Sequence, residues 1–252
     1  MLWPEDQRLA TLYDIKCAGR QDHDFYLALA DQLEARSVLD LGCGTGVFAI
    51  DVVHAGSPDP RRVVGVDPAA VIVDIARTRH GGDTVTWIHG TAADVNQDPV
   101  DLVIMMGHVA QYFVTDEAWT SVLAQCFRLL TPGGSLAFEV RNPDRGWPRR
   151  WTESRTKATL AHPDGGHFVS WVQSVALDGP PTSFTETHEG HTVLANGDHL
   201  VSSETLRFRS PQEVTTSVEQ AGFTIVNTWG DWDSSAFDPV DSDELIVQAQ
   251  RP

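Results

Sequence analysis

Apolar and polar positions follow two alternating rhythms up to residue 140. Short apolar runs bounded by turn signals recur at Ser37-Val38-Leu39-Asp40-Leu41, Arg62-Val63-Val64-Gly65-Val66-Asp67, Val85-Thr86-Trp87-Ile88-His89-Gly90, Val100 to Met106 and Ser135 to Val140. These read as strands covered on both faces. Between them, apolar residues fall at three-to-four spacing: Val47 to Val53, then Val71, Ile72, Ile75 and Ala76, then Trp119, Val122, Leu123, Cys126, Phe127 and Leu130. Each is one face of a helix, and Leu130-Thr131-Pro132-Gly133-Gly134 is expected to break the last one. Alternating strands and helices of this length predict a doubly wound parallel sheet, with a ligand crevice at the C-terminal ends of its strands.

Beyond Val140 the rhythm changes. Phe168 to Gln173, Ser183 to Thr187 and Thr192 to Leu194 alternate in two-residue steps, and Asn196-Gly197 before Asp198-His199-Leu200-Val201 signals a hairpin. Helix returns from Pro211 to Ala221, closed by Gly222, and strands follow at Phe223 to Trp229 and Glu244 to Ala249. The link between these two is too short for a crossover helix, so the last strand must run antiparallel to its partner. Ahead of the first strand, Phe25, Tyr26, Leu29 and Leu33 share one helix face and Leu9 to Asp14 forms a shorter helix. The expected organisation is a helical cap (1–36), one α/β domain (37–140 with 210–252), and an inserted rim loop with a small antiparallel sheet (141–209).

Composition narrows the function. At 252 residues the chain can bury a large core. Its 35 acidic residues against 18 basic ones give a net charge of −17, the wrong sign for nucleic acid and a favourable one for a neutral or cationic small substrate. The three cysteines show no paired spacing, and the histidines at 162, 167, 188, 191 and 199 come without acids at ligand spacing, so neither a disulfide framework nor a metal site is expected. The first residues lack a basic and apolar leader pattern, and no run is long enough to span a bilayer. A soluble, cytoplasmic protein without membrane or nucleic-acid partners is expected, its oligomeric state open.

The first strand runs into Asp40-Leu41-Gly42-Cys43-Gly44-Thr45-Gly46. Glycines suit a turn that takes positive φ and lets a ligand reach backbone N–H groups. Dinucleotide loops read G-x-G-x-x-G, whereas here the residue three after Gly44 is Val47. The pattern D-x-G-x-G-x-G resembles motif I of the class I S-adenosylmethionine-dependent methyltransferases, and the order of elements from residue 37 onward resembles their seven-stranded Rossmann-like sheet with a reversed last strand. This resemblance implies that Asp40, Gly42, Cys43, Gly44 and Gly46 hold the methionine end of the cofactor.

Asp67, at a strand end 21 residues after Gly46, has two oxygens to accept from both ribose hydroxyls, or else caps the next helix, whose first turn Pro68 suits. In the family the turn after the third strand reads G-D-A and meets adenine. Here Thr91 stands at the acid, leaving Asp94 or a backbone group near Ala92 and Ala93 to make that contact. Met106 and Gly107, closing the fourth strand, complete the expected cofactor site, and Tyr26 either lines it or packs in the core.

Methyl transfer is an in-line displacement that needs a base only where the acceptor must lose a proton. His108, directly after the fourth strand, and Tyr13 are the candidates. Gly107-His108-Val109-Ala110 and Leu12-Tyr13-Asp14 resemble the matching stretches of bacterial sugar N,N-dimethyltransferases, which implies that His108 and Tyr13 face an acceptor amine. The basic, aromatic segment containing Arg141, Asn142, Trp147, Arg149, Arg150 and Trp151 is either a solvated rim or a contact for the acceptor, and Trp229 to Trp232 could form the opposite wall. The expected function is transfer of a methyl group to a nitrogen or oxygen of a small molecule, with an amine among the candidates. A non-catalytic cofactor-binding partner protein and a nicotinamide-dependent oxidoreductase remain as alternatives.

Overall fold

The structure, a computed structural model, describes residues 6–17, 19, 21–56 and 59–252. In chain order it contains α1 (Gln7–Ala10), α2 (Tyr13–Lys16), α3 (Asp22–Gln32), β1 (Ser37–Leu41), α4 (Val47–His54), β2 (Arg62–Asp67), α5 (Ala70–Thr78), β3 (Thr86–His89), β4 (Val100–Met105), α6 (Asp116–Leu129) and β5 (Leu130–Arg141). Then come α7 (Glu153–Thr156), β6 (Ala158–Ala161), β7 (His167–Asp178), β8 (Phe184–Val193), β9 (His199–Phe208), α8 (Pro211–Gln220), β10 (Thr224–Trp229) and β11 (Glu244–Gln250). Of the 1–36 segment, residues 1–5, 18 and 20 lie outside the described ones. Among the described residues no helix is long and apolar enough to cross a membrane.

Seven strands form the main sheet in the order β3-β2-β1-β4-β5-β11-β10. β1 to β5 pair in parallel, whereas β11 runs antiparallel to both β5 and β10. The fold is thus the doubly wound methyltransferase-type sheet with its last strand reversed, accompanied by a four-stranded antiparallel sheet, β6-β7-β8-β9. Both faces of the main sheet are apolar: Leu39, Val103, Met105, Leu136 and Phe138 pack toward α6 and α8. Val38, Leu102, Ile104 and Ala137 pack toward α3 and α4. Such two-sided burial leaves only the strand ends to carry chemistry.

Three local expectations change. Thr131 to Gly134 follows the end of α6, as expected, yet it is no free turn. It bulges within β5, whose register jumps from Val100 opposite Leu130 to Leu102 opposite Ser135. Arg251 holds this bulge from the C-terminal side, accepting the Gly133 N–H at 2.8 Å and donating to the Gly134 carbonyl at 2.9 Å. Pro68 lies before α5, not in its first turn, because the Ala69 N–H is taken by Asp67 at 2.9 Å and the backbone there stays extended. The alternating stretches at 183–187 and 192–194 belong to one strand, β8, because β7 and β9 flank it along its whole length.

The glycine turn is fixed from below by Trp87 of β3. Its ring lies across Gly46 and Gly65, and its indole N–H donates to the Gly82 carbonyl at 2.7 Å. A Cβ on Gly46 would stand 2.4 Å from that ring, at a residue whose φ is +81°. Gly46→Ala is therefore expected to destabilise the fold by about 2 kcal/mol, combining left-handed strain with overpacking against a pinned ring. Urea unfolding of the two proteins measures it, and an unchanged midpoint would show that the turn relaxes freely.

Candidate active site

A cleft of about 1080 Å³ opens at the C-terminal ends of β1, β2 and β4. Its floor is the glycine loop, tied to β2 by the N–H groups of Gly42 and Cys43, which donate to the Val66 carbonyl at 2.8 and 3.1 Å. The Gly44 N–H donates to Asp67 Oδ2 at 3.1 Å. The loop is also held from above. Thr45 donates its hydroxyl to Asp14 of α2 at 2.5 Å, and Arg79 joins the same carboxylate and the Thr45 carbonyl. This brace carries Tyr13 into the cleft, its ring 3.6 Å from the place of a Cβ on Gly44.

Asp67 lines the cleft beside Pro68. Burial pushes its carboxyl above the usual range, against the Ala69 and Gly44 N–H groups that stabilise the ionised form. Each of its oxygens accepts one backbone hydrogen bond, leaving each a second lone pair for a neighbouring pair of hydroxyls. Farther along, Thr91, Ala92 and Ala93 form one wall of an apolar slot, with Val71, Ile72 and Val109 nearby. The slot suits a flat heteroaromatic ring. Met106 and Gly107 line the middle of the cleft, between this slot and Tyr13.

Asp94 does not face the slot. The backbone N–H and hydroxyl of Thr91 both donate to its Oδ2, at 2.8 and 2.9 Å, so its carboxylate closes the turn. Those bonds hold it below the usual carboxylate range.

Four other expected residues lie off the cleft. Asp40 is buried in β1 beneath the loop, and Gly46 serves to admit Trp87. Tyr26 is fully buried and donates its hydroxyl to Glu139 Oε2 at 2.5 Å, which makes it a core residue. His108 turns away as well. Its backbone takes the left-handed conformation, φ +62°, with its N–H donating to Glu139 Oε1 at 2.5 Å. Its Nε2 lies 3.0 and 3.1 Å from the oxygens of Glu244. The turn at Gly107 thus presents backbone to the cleft and sends the imidazole behind it.

Two arginines of the basic rim share one internal partner. Arg150 donates both terminal nitrogens to Asp243, at 2.8 and 2.9 Å, and Arg145 adds a third bond at 2.8 Å. With Arg150 foremost, they hold the Asp243 carboxyl down at about 2. Arg141 stacks over Trp147 and Trp151, at 5.3 and 5.2 Å from the ring centres. Trp229 and Trp232 border a separate cavity of about 580 Å³ with Phe25. A wall that the sequence reading missed is Tyr112, which lines the cleft and donates to Glu204 of β9 at 2.5 Å. No motif marks this pair, because its members lie 92 residues apart.

A glycine loop between a parallel strand and a helix, an acid on the neighbouring strand end and a slot for a flat ring define a nucleoside-cofactor domain. Residues 38–134 match the family model of the methyltransferase domain. The domain is thus of the S-adenosylmethionine-dependent methyltransferase class, and the cleft opens at its strand ends. Over 107 residues the chain is 31% identical to a probable protein arginine N-methyltransferase 6.1 of Oryza sativa subsp. indica, a match covering 41% of this chain and 27% of that protein. It therefore spans only about a quarter of that curated relative's length.

Solved structures share the whole fold. The CcbJ methyltransferase of Streptomyces caelestis superposes with a TM-score of 0.75 at 20% identity, covering 99% of both chains. The sugar N-methyltransferase KedS8 of Streptoalloteichus sp ATCC 53650 gives 0.69 at 16%, covering 95% of this chain and 93% of its own.

Two measurements test the site. Asp67→Ala should weaken S-adenosylhomocysteine binding by about tenfold or more in calorimetric titration, since it removes charged acceptors from the ribose position. Unchanged affinity would remove Asp67 from that role. Burial pushes Glu244 up to about 7 from an ordinary 4.5. The unfolded chain ionises it first, so its contribution to stability is present at low pH and lost as pH rises from about 4.5 to 7. Glu244→Gln should therefore gain melting temperature relative to the parent between pH 5 and pH 8, whereas a pH-independent difference would contradict the shift.

Proposed function

We propose that this protein transfers the methyl group of S-adenosylmethionine to a nitrogen of a small-molecule acceptor. The cofactor supplies an electrophilic methyl on a sulfonium, whose sulfur leaves as a neutral thioether. The chain's contribution is alignment and exclusion of water. Asp67 and the glycine loop orient one end of the reactant pair, the slot at Ala92 and Ile72 grips the ring, and Tyr13 covers the methionine end.

The observation that carries the reading is the cleft itself: its volume of about 1080 Å³ is roomy for a small-molecule site, and one lining joins the glycine loop, Asp67 and Ala92 with Tyr13 and Tyr112. Nitrogen is favoured over oxygen by the acidic character of the chain, which draws in cationic acceptors. The names of KedS8 and of the rice relative, both N-methyltransferases, support the same choice.

S-adenosylhomocysteine formation, measured against a panel of amino sugars and other small amines beside matched alcohols, tests the proposal. Turnover is expected with an amine and not with the matched alcohol. Tight S-adenosylhomocysteine binding with no turnover on any acceptor would favour a non-catalytic cofactor-binding partner protein instead.

A further inference from the structure

The methyltransferase reading leaves one feature of the cleft without a role. Tyr112 shows its ring to the cleft, with Tyr13 as a near neighbour, yet its hydroxyl is directed at a carboxylate from a different sheet. That carboxylate, Glu204, is 11% exposed. Behind it, His188 Nε2 stands 3.9 Å from the same Oε2 atom, and His188 Nδ1 lies 2.9 Å from Glu186 Oε2. Glu186 is fully buried, and its Oε1 has no hydrogen-bond partner among the described residues. Lys16 of α2 also acts on Glu204. From the cleft inward the order is therefore phenol, carboxylate, imidazole and carboxylate, with Lys16 at the side.

Burying these acids is costly, and packing alone would favour apolar residues here. Although 41% of Tyr112 is exposed, local burial of its hydroxyl against Glu204 drives it above its ordinary range, and the phenol donates to Glu204. The lone pairs on the phenolic oxygen remain for a donor in the cleft. A primary or secondary alkylamine is such a donor, because at neutral pH it arrives as an ammonium and must lose a proton before its nitrogen can attack.

We infer that Tyr112 and Glu204 receive the acceptor amine as its ammonium and take up the proton it loses, a role that rests on the methyltransferase reading. An N–H proton of the ammonium passes to the phenolic oxygen of Tyr112 as the phenolic proton passes to Glu204 Oε2. The freed nitrogen lone pair forms the new bond to the methyl carbon, and the carbon–sulfur electron pair departs with sulfur. Tyr112 touches the acceptor. Glu204 acts through it, and His188 with Glu186 holds Glu204 in place.

Sinefungin tests this without knowledge of the acceptor, because it carries an amine where the cofactor carries its transferable methyl. Calorimetric affinities for sinefungin and S-adenosylhomocysteine are compared in the parent, Glu204→Gln and Tyr112→Phe. The expected result is a loss of about tenfold for sinefungin in both variants, with S-adenosylhomocysteine bound as before. Sinefungin affinity unchanged in both variants would overturn the inference, and so would an equal loss of both ligands, which would make the pair a support for the cleft alone. A parent that binds neither ligand would instead overturn the methyltransferase reading itself.

Discussion

The cleft depends on a constraint at the ends of two adjacent parallel strands, where Asp67 holds the glycine loop in position. β1 and β2 finish side by side, and the loop leaving β1 has no side chains with which to fix its course. The Asp67 carboxylate does so, accepting the Gly44 N–H with one oxygen and the Ala69 N–H with the other. Those bonds delay α5 until Ala70 and keep the backbone around Pro68 extended. They also leave the carboxylate lining the cleft with acceptor positions to spare, because an ionised carboxylate has about four.

A second buried acid organises the far side. Glu139 sits in the middle of the sheet with no exposure and draws two short hydrogen bonds, from the Tyr26 hydroxyl and the His108 N–H. Burial pushes its carboxyl upward while these donors and the nearby His108 ring oppose the rise. Its energetic effect is to tie α3 to the end of β4 and to hold His108 in a left-handed conformation. The imidazole that follows the strand end in sequence is thereby aimed at Glu244, and the chemistry of the cleft passes to residues brought from farther away.

Those residues come from the second sheet and the N-terminal helices. β9 lays Glu204 against Tyr112, and Phe184, Leu206 and Phe208 fix this sheet through Trp147 and Trp151. On the opposite rim, Asp14 ties Tyr13 to the loop through Thr45 and Arg79. Of the rim arginines, Arg145 and Arg150 are spent on Asp243. Tyr13 and Tyr112 remain as the phenolic lining of the cleft, with Glu204 behind Tyr112.

The order of strands and helices in the main sheet and its reversed last strand were determined by the sequence alone, because two-sided burial writes continuous apolar runs and a short link forbids a crossover. The cofactor loop was legible for a similar local reason: glycine spacing and a strand-end acid report backbone conformation and hydrogen-bonding capacity within a few residues. Side-chain direction was not legible. Whether Tyr26 and His108 faced the cleft hinged on Glu139, which lies 113 and 31 residues away from them. Whether Gly46 met a ligand or a tryptophan hinged on β3. The pairing of Tyr112 with Glu204 exists only once two sheets are packed together. Periodicity encodes which face of an element is buried, whereas a site requires the relative placement of several elements, and that is decided by tertiary packing and the satisfaction of buried polar groups.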